Sequence, residues 1–283
     1  MIWDFNYDSP VAIKALLAEQ GLSMSKKFGQ NFMIDTHARS RICALAGDIG
    51  SRSVWEIGPG IGALTSGLLN AGARVTAFEI DHGFCRILRE RAFVGETGFN
   101  LVEGDFLKTW ETEFARCGTP DVLFSNLPYN VGSVCIARIL EGRCFPSLMV
   151  FTLQTEVARR LSARPGDPDW SSLSLLAALD YETRIEFAIP GSCFYPPPNV
   201  TSSVVTMRKR QQSLMPQQLR PVFLSLSRQL FNQKRKTLKN NLSSYPDAEQ
   251  RLRNAGINPA TRAENLDVEA VVSLCRAFSE GQR

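Results

Sequence analysis

Short apolar runs alternate with stretches of helical spacing through the first two thirds of the chain, and this limits the fold more than any other feature. A short apolar run bounded by turn residues reads as a buried strand, and apolar residues recurring every three or four positions read as a helix. Strands are predicted at Val54 to Ile57, Arg74 to Ile80, Asn100 to Glu103, Asp121 to Ser125, Ser147 to Leu153, Arg184 to Ile189 and Ser203 to Arg208. Helices are predicted over Asp35 to Ala46, Ala63 to Asn70, His82 to Ala92, Gly132 to Glu141 and Gln154 to Ala163. Such alternation builds a mostly parallel sheet with crossover helices against it. Near Arg210 the pattern breaks at Gln-Gln-Ser-Leu-Met-Pro and becomes helical, over Gln218 to Phe231, Pro246 to Ala255 and Val268 to Phe278. The fold expected is α/β: a Rossmann-like sheet domain over residues 1–210, then a small all-helical domain over residues 211–283.

Composition narrows the function classes. With 44% hydrophobic and 21% charged residues the chain is globular, and no apolar run is long enough for a membrane span. The first twenty residues have neither a basic n-region nor an apolar h-region, so no export signal is expected. Seven cysteines without a C-x-x-C pair, and only two histidines, point to reduced thiols in the cytoplasm and to no metal site. The net charge of +4 is modest, but Arg208 to Lys239 holds nine Lys or Arg residues and no acid. That run reads either as a solvated helix face or as a phosphate-binding surface.

Val54-Trp55-Glu56-Ile57-Gly58-Pro59-Gly60-Ile61-Gly62 is a strand entering a glycine-rich turn that opens a helix. Glycine allows the sharp turn and close approach of a ligand. Glu79 ends the next strand, about 20 residues on, where an acid accepts bonds from both ribose hydroxyls of a nucleotide. Pro59 breaks the dinucleotide spacing, which favours a nucleoside ligand. Asp105, after the third strand, is placed to accept from an adenine amino group. Asn126-Leu127-Pro128-Tyr129 then follows the fourth strand. An aromatic amine is a poor nucleophile because its lone pair is delocalised into the ring. The Asn126 side-chain oxygen and the Leu127 carbonyl can accept both N6 hydrogens of an adenine and turn the lone pair toward a sulfonium methyl, with Tyr129 stacked on the extruded base. His37, His82, Trp55, Trp110 and Cys135 are expected to be structural.

With these motifs the chain resembles the KsgA-type small-subunit ribosomal RNA adenine N6-dimethyltransferases over nearly its full length. Lys26-Lys27-Phe28-Gly29-Gln30-Asn31-Phe32-Met33 resembles the family's N-terminal cofactor motif, and Phe194-Tyr195-Pro196-Pro197-Pro198-Asn199-Val200-Thr201-Ser202 its F-x-P-P-P-K-V-D-S segment, with Asn199 and Thr201 in place of Lys and Asp. Lys234-Arg235-Lys236-Thr237-Leu238-Lys239-Asn240-Asn241-Leu242 and Arg262-Ala263-Glu264-Asn265-Leu266 resemble its R-R-K-T-L-R-N-x-L and R-A/P-E-x-L segments. The resemblance implies S-adenosyl-L-methionine (SAM) as cofactor, yielding S-adenosyl-L-homocysteine, with Gln30, Asn31, Met33, Gly58, Gly60, Glu79, Ile80, Asp105, Phe106 and Asn126 holding it. It implies Asn126, Leu127, Pro128 and Tyr129 as the catalytic set and Phe194 as an aromatic that holds the target base. Lys234, Arg235, Lys236 and Lys239 would meet RNA. The implied substrate is two adjacent adenosines in a hairpin near the 3′ end of 16S rRNA, within an immature 30S subunit, with the enzyme a monomer. Three other readings stand beside it: a large-subunit methyltransferase of the macrolide-resistance type, a DNA adenine methyltransferase, and an assembly or transcription factor acting mainly by binding.

Overall fold

The computed structural model describes residues 2–22, 31–127, 132–142 and 144–279. Along the chain the elements are α1 (Pro10–Glu19), β1 (Phe32–Met33), α2 (Thr36–Ala44), β2 (Ser53–Ile57), α3 (Ala63–Asn70), β3 (Arg74–Glu79), α4 (His82–Ile87), β4 (Phe99–Glu103), α5 (Phe106–Cys117), β5 (Val122–Asn126) and α6 (Gly132–Glu141). They continue as β6 (Leu148–Gln154), α7 (Thr155–Ser162), α8 (Ser172–Asp180), β7 (Tyr181–Ile189), β8 (Phe194–Tyr195), β9 (Ser202–Lys209), α9 (Arg220–Leu230), α10 (Leu238–Asn241), α11 (Ala248–Asn254) and α12 (Val268–Ser279).

A seven-stranded sheet has the order β4-β3-β2-β5-β6-β9-β7. β2 pairs in parallel with β3 and β5, β3 with β4, and β5 with β6, while β9 runs antiparallel to β6. The expected α/β, mostly parallel architecture is what the chain adopts. Alternation along each strand splits the side chains between two faces. Val54, Val75, Val122, Phe124, Leu148, Val150 and Val204 share one core with Leu64 and Leu68 of α3 and Ile42 of α2. On the other face Trp55 packs on Phe78, Phe78 on Phe106, and Phe106 on Trp110, which docks α5. Each face therefore has its own helical cover.

Several elements lie outside the predicted set. β1 and β8, only two residues each, pair antiparallel in a separate ribbon, Phe32 with Tyr195 and Met33 with Phe194. α1 begins at Pro10 behind a Ser9 cap whose hydroxyl accepts from Ala12 N–H at 3.2 Å. α5 carries a clear row of Phe106, Trp110 and Phe114 but is absent from the predicted set. α8, Ser-Leu-Ser-Leu-Leu-Ala-Ala-Leu-Asp, is buried almost all round and so has no amphipathic period to read.

The chain divides into two compact units, Met1–Ala158 with Arg184–Arg208, and Arg159–Thr183 with Lys209–Arg283. A limit at residues 210 and 211 leaves Arg159–Thr183 with the sheet, whereas this stretch folds into the helical unit. The reason is α8, which packs on α9 and α12. Asp180 at its end forms a buried ion pair with Arg220, with Nη1 3.2 Å from Oδ1. Among the described residues, no helix is long and apolar enough to cross a membrane.

Candidate active site

Four parallel strands bring polar side chains to one face of the sheet at its carboxyl edge, where open α/β sheets hold ligands. Val54 and Val75 place Glu56 and Glu79 on that face two and four residues on, and Phe124 and Val150 do the same for Asn126 and Thr152.

Glu79 ties the site together. Its Oε2 accepts the Gly60 N–H at 3.0 Å and its Oε1 the Asp81 N–H at 2.9 Å, so the carboxylate spans the turns after β2 and β3. Gly60 meets it in the left-handed region, at φ 59°. Gly58 donates its N–H to the Phe78 carbonyl at 2.9 Å. Burial pushes Glu79 up to about 7, with the backbone N–H groups opposing the shift. A carboxylate has about four acceptor sites, more than the backbone N–H groups of Gly60, Asp81 and Ile80 fill, so it can still accept from a ribose hydroxyl. Ile80 beside it is 47% exposed, an apolar surface in a polar rim. Asp105 caps α5 by accepting the Leu107 N–H on Oδ1 at 3.0 Å, which uses one of its two oxygens. The Phe106 ring is buried between Phe78 and Trp110, so any ligand contact of this residue would be through its backbone. A hydroxyl acceptor, an apolar platform and a further carboxylate fit the ribose and base of an adenosine, and so fit SAM.

Asn126 ends β5. Its Nδ2 donates to the Asn31 carbonyl at 3.3 Å, which assigns the amide orientation and leaves Oδ1 on the opposite side. The Leu127 side chain is buried. Gln30, Pro128 and Tyr129 lie outside the described residues. Met33 and Phe194 are both buried in the core on this face. The Phe194 ring, 2% exposed, thus packs inside, while the half-buried Tyr195 ring has Lys14 Nζ 5.4 Å from its centroid.

The motifs pass over Glu56. It is fully buried and accepts from Thr65 Oγ1 at 2.6 Å; burial first, and Glu79 second, push it up to about 7. A lone acid in the apolar strand Val54-Trp55-Glu56-Ile57 was the available signal, since a buried carboxyl needs a partner or a proton.

In the helical unit Lys234, Arg235 and Lys236 are exposed, whereas Lys239 Nζ lies 2.6 Å from Glu249. The Arg262 to Leu266 segment is a brace: Arg262 bridges Thr237, the Glu264 carbonyl accepts Gly166 N–H at 2.9 Å, and the Leu266 carbonyl accepts Trp170 Nε1–H at 3.0 Å. His82 pairs at the surface with Glu103; Trp55, Trp110 and Cys135 are buried, and burial pushes the Cys135 thiol up to about 11.

A sequence-family description, ribosomal RNA adenine dimethylase, matches residues 21–280. The chain belongs to the ribosomal RNA adenine dimethylase family. The dimethylase is 40% identical to a Treponema denticola protein named ribosomal RNA small subunit methyltransferase A, over 92% of each chain. A Magnetococcus marinus protein of the same name is 39% identical over 93% of this chain and 94% of that one. Among solved structures, a dimethyladenosine transferase from Plasmodium falciparum superposes with a TM-score of 0.70 at 25% identity, covering 88% of this chain and 97% of that one. The 23S rRNA methyltransferase ErmE superposes at 0.64 with 24% identity over 88% and 100%, a likeness of fold. The dimethylase is accordingly a SAM-dependent ribosomal RNA adenine dimethyltransferase.

Proposed function

We propose that this dimethylase methylates N6 of two adjacent adenosines, twice each, in a hairpin near the 3′ end of 16S rRNA in the immature 30S subunit. The names carried by its bacterial relatives support the small subunit as target. The observation that carries the chemistry is Asn126, at the carboxyl end of β5 with its amide oriented by the Asn31 carbonyl.

Bound SAM supplies a methyl group activated by its sulfonium. Glu79 accepts from the ribose hydroxyls, Ile80 lies against the adenine and Asp105 accepts from its amino group, with Gly58, Gly60, Gln30, Asn31, Met33 and the Phe106 backbone completing the cofactor wall. The target base leaves its stack, at low cost in a loop. Asn126 Oδ1 and the Leu127 carbonyl accept the two N6 hydrogens, so the amine loses conjugation with the ring and presents its lone pair outward. Tyr129 is the aromatic that would stack on the base, with Pro128 beside it in the sequence, while Phe194 backs the pocket from within the core. The N–CH3 bond would form as the S–CH3 bond breaks, leaving S-adenosyl-L-homocysteine. No strong base is required, because the amine becomes acidic only as the new bond forms and its proton can pass to water. In the second transfer one acceptor suffices for the single remaining N6 hydrogen. Lys234, Arg235 and Lys236 hold phosphates and set register without reading sequence. Every residue invoked comes from one chain, so a monomer suffices; the cytoplasm is where immature subunits are met.

The test is transfer of labelled methyl from SAM to immature small subunits, large subunits and duplex DNA, with Asn126→Ala alongside. We expect N6,N6-dimethyladenosine in small-subunit RNA alone and loss of at least a hundredfold in Asn126→Ala. Label in large subunits instead would reassign the substrate, and tight RNA binding without transfer would make the protein an assembly factor.

A further inference from the structure

We infer that Thr152 is a positioning residue for the acceptor amine, its hydroxyl receiving the second amide hydrogen of Asn126 when adenosine is seated; the inference rests on the acceptor role proposed above for Asn126. β5 and β6 are in parallel register with Asn126 opposite Thr152. Side chains opposite each other in adjacent strands leave the same face, with strands about 4.8 Å apart. Thr152 is 1% exposed, and its Oγ1 has no hydrogen-bond partner among the described residues. On its far side it is in register with Val204 of β9, which shares a core with Met33 and Phe194. The hydroxyl thus sits on the floor of the region bounded by Asn126 and the Phe194 ribbon.

Within Met149-Val150-Phe151-Thr152-Leu153 a valine would fill the same space without a buried hydroxyl, so the threonine gives up hydration for no bond to any described residue. Asn126 has the complementary surplus. Its Nδ2 carries two hydrogens, and the Asn31 carbonyl takes one of them over 3.3 Å. The amide's terminal torsion is broad, and one long hydrogen bond leaves it loosely held. Once Oδ1 is drawn to the adenine amine, the second N–H turns toward the β6 side, where Thr152 Oγ1 is the waiting acceptor. Asn31 and Thr152 then hold the amide at two points while Oδ1 holds N6.

The experiment compares full-length Thr152→Val and Thr152→Ser with the parent and with Asn126→Ala. The readouts are kcat, KM for SAM and for small-subunit RNA, and thermal unfolding without ligands. We expect Thr152→Val to lower kcat about fivefold with both KM values within about twofold, to melt no lower than the parent, and Thr152→Ser to recover the parent kcat. Unchanged kcat in Thr152→Val, or a loss that Thr152→Ser does not restore, overturns the inference and leaves the acceptor role of Asn126 standing. Activity that survives Asn126→Ala overturns both.

Discussion

Backbone N–H groups of Gly60, Asp81 and Ile80 favour the ionised Glu79, yet burial outweighs them and pushes its carboxyl up to about 7. Ribose hydroxyls donate best to an ionised carboxylate, so SAM affinity should rise as pH passes upward through 7 and fall below it. Isothermal titration between about pH 6 and 8 should show this slope, and Glu79→Gln should abolish it while weakening binding about tenfold or more. A flat profile in the parent would remove Glu79 from the ribose contact. Glu56 makes a separate prediction about stability. Its folded value, about 7, lies above the ordinary 4.5, so its contribution is fully present below about 4.5 and is lost as pH rises through 7. Carrying the ionised carboxyl at pH 8 costs roughly 3 kcal/mol, and Glu56→Gln, which still offers Thr65 an acceptor, should melt higher than the parent at pH 8 and equally at pH 4.5. Glu79, Asp105 and Asn126 were legible in the sequence because each stands at or just after a strand end in a motif. Glu56 and Thr152 lie inside apolar strands, where hydrophobic pattern masks a single polar side chain.

The turn joining β2 to α3 shows how tightly one element can specify its residues. Gly62 sits at φ 88°, and a Cβ there would come within 2.8 Å of the Phe93 ring. Strain and overlap act together, so Gly62→Ala should lose about 2 kcal/mol or more in urea unfolding. Adding Phe93→Leu should return the overlap part and leave the backbone part, and full recovery would mean that the left-handed conformation costs nothing. All seven strands of the main sheet were readable to within a few residues: burial concentrates apolar residues in β2, β5, β6 and β9, while the less buried β4 and β7 were marked by their place in the alternation. The β1–β8 ribbon was not, since two residues carry no period and Phe32, Met33, Phe194 and Tyr195 are joined only by tertiary pairing. α8 escaped for the opposite reason, being apolar on every side.

At the scale of the whole chain, a helical unit that gathers Arg159–Thr183 with Lys209–Arg283 is discontinuous, and no local signal in the sequence marks a segment that returns to a unit formed 26 residues later. The linking chemistry is long-range: Asp180 to Arg220, Gly166 to Glu264, Trp170 to Leu266. That brace fixes the backbone from which the basic turn projects, because Thr261 and Pro259 carbonyls accept the Leu238 and Lys239 N–H groups at 2.8 and 3.1 Å. Lys234, Arg235 and Lys236 are left exposed, while Lys239 already faces Glu249 at 2.6 Å. Counterion release makes each phosphate contact on single-stranded RNA worth a slope of about 0.7 in log affinity against log salt. Replacing Lys234, Arg235 and Lys236 together with alanine should therefore reduce the slope by about 2, and should weaken hairpin and unrelated RNA by the same factor. Lys239→Ala should change the slope by less than any of the three, since its charge is partly met within the protein. A triple variant that lost affinity for the hairpin alone would show that the turn reads bases or loop shape rather than phosphates, and would move sequence selection from the Asn126 pocket into the helical unit.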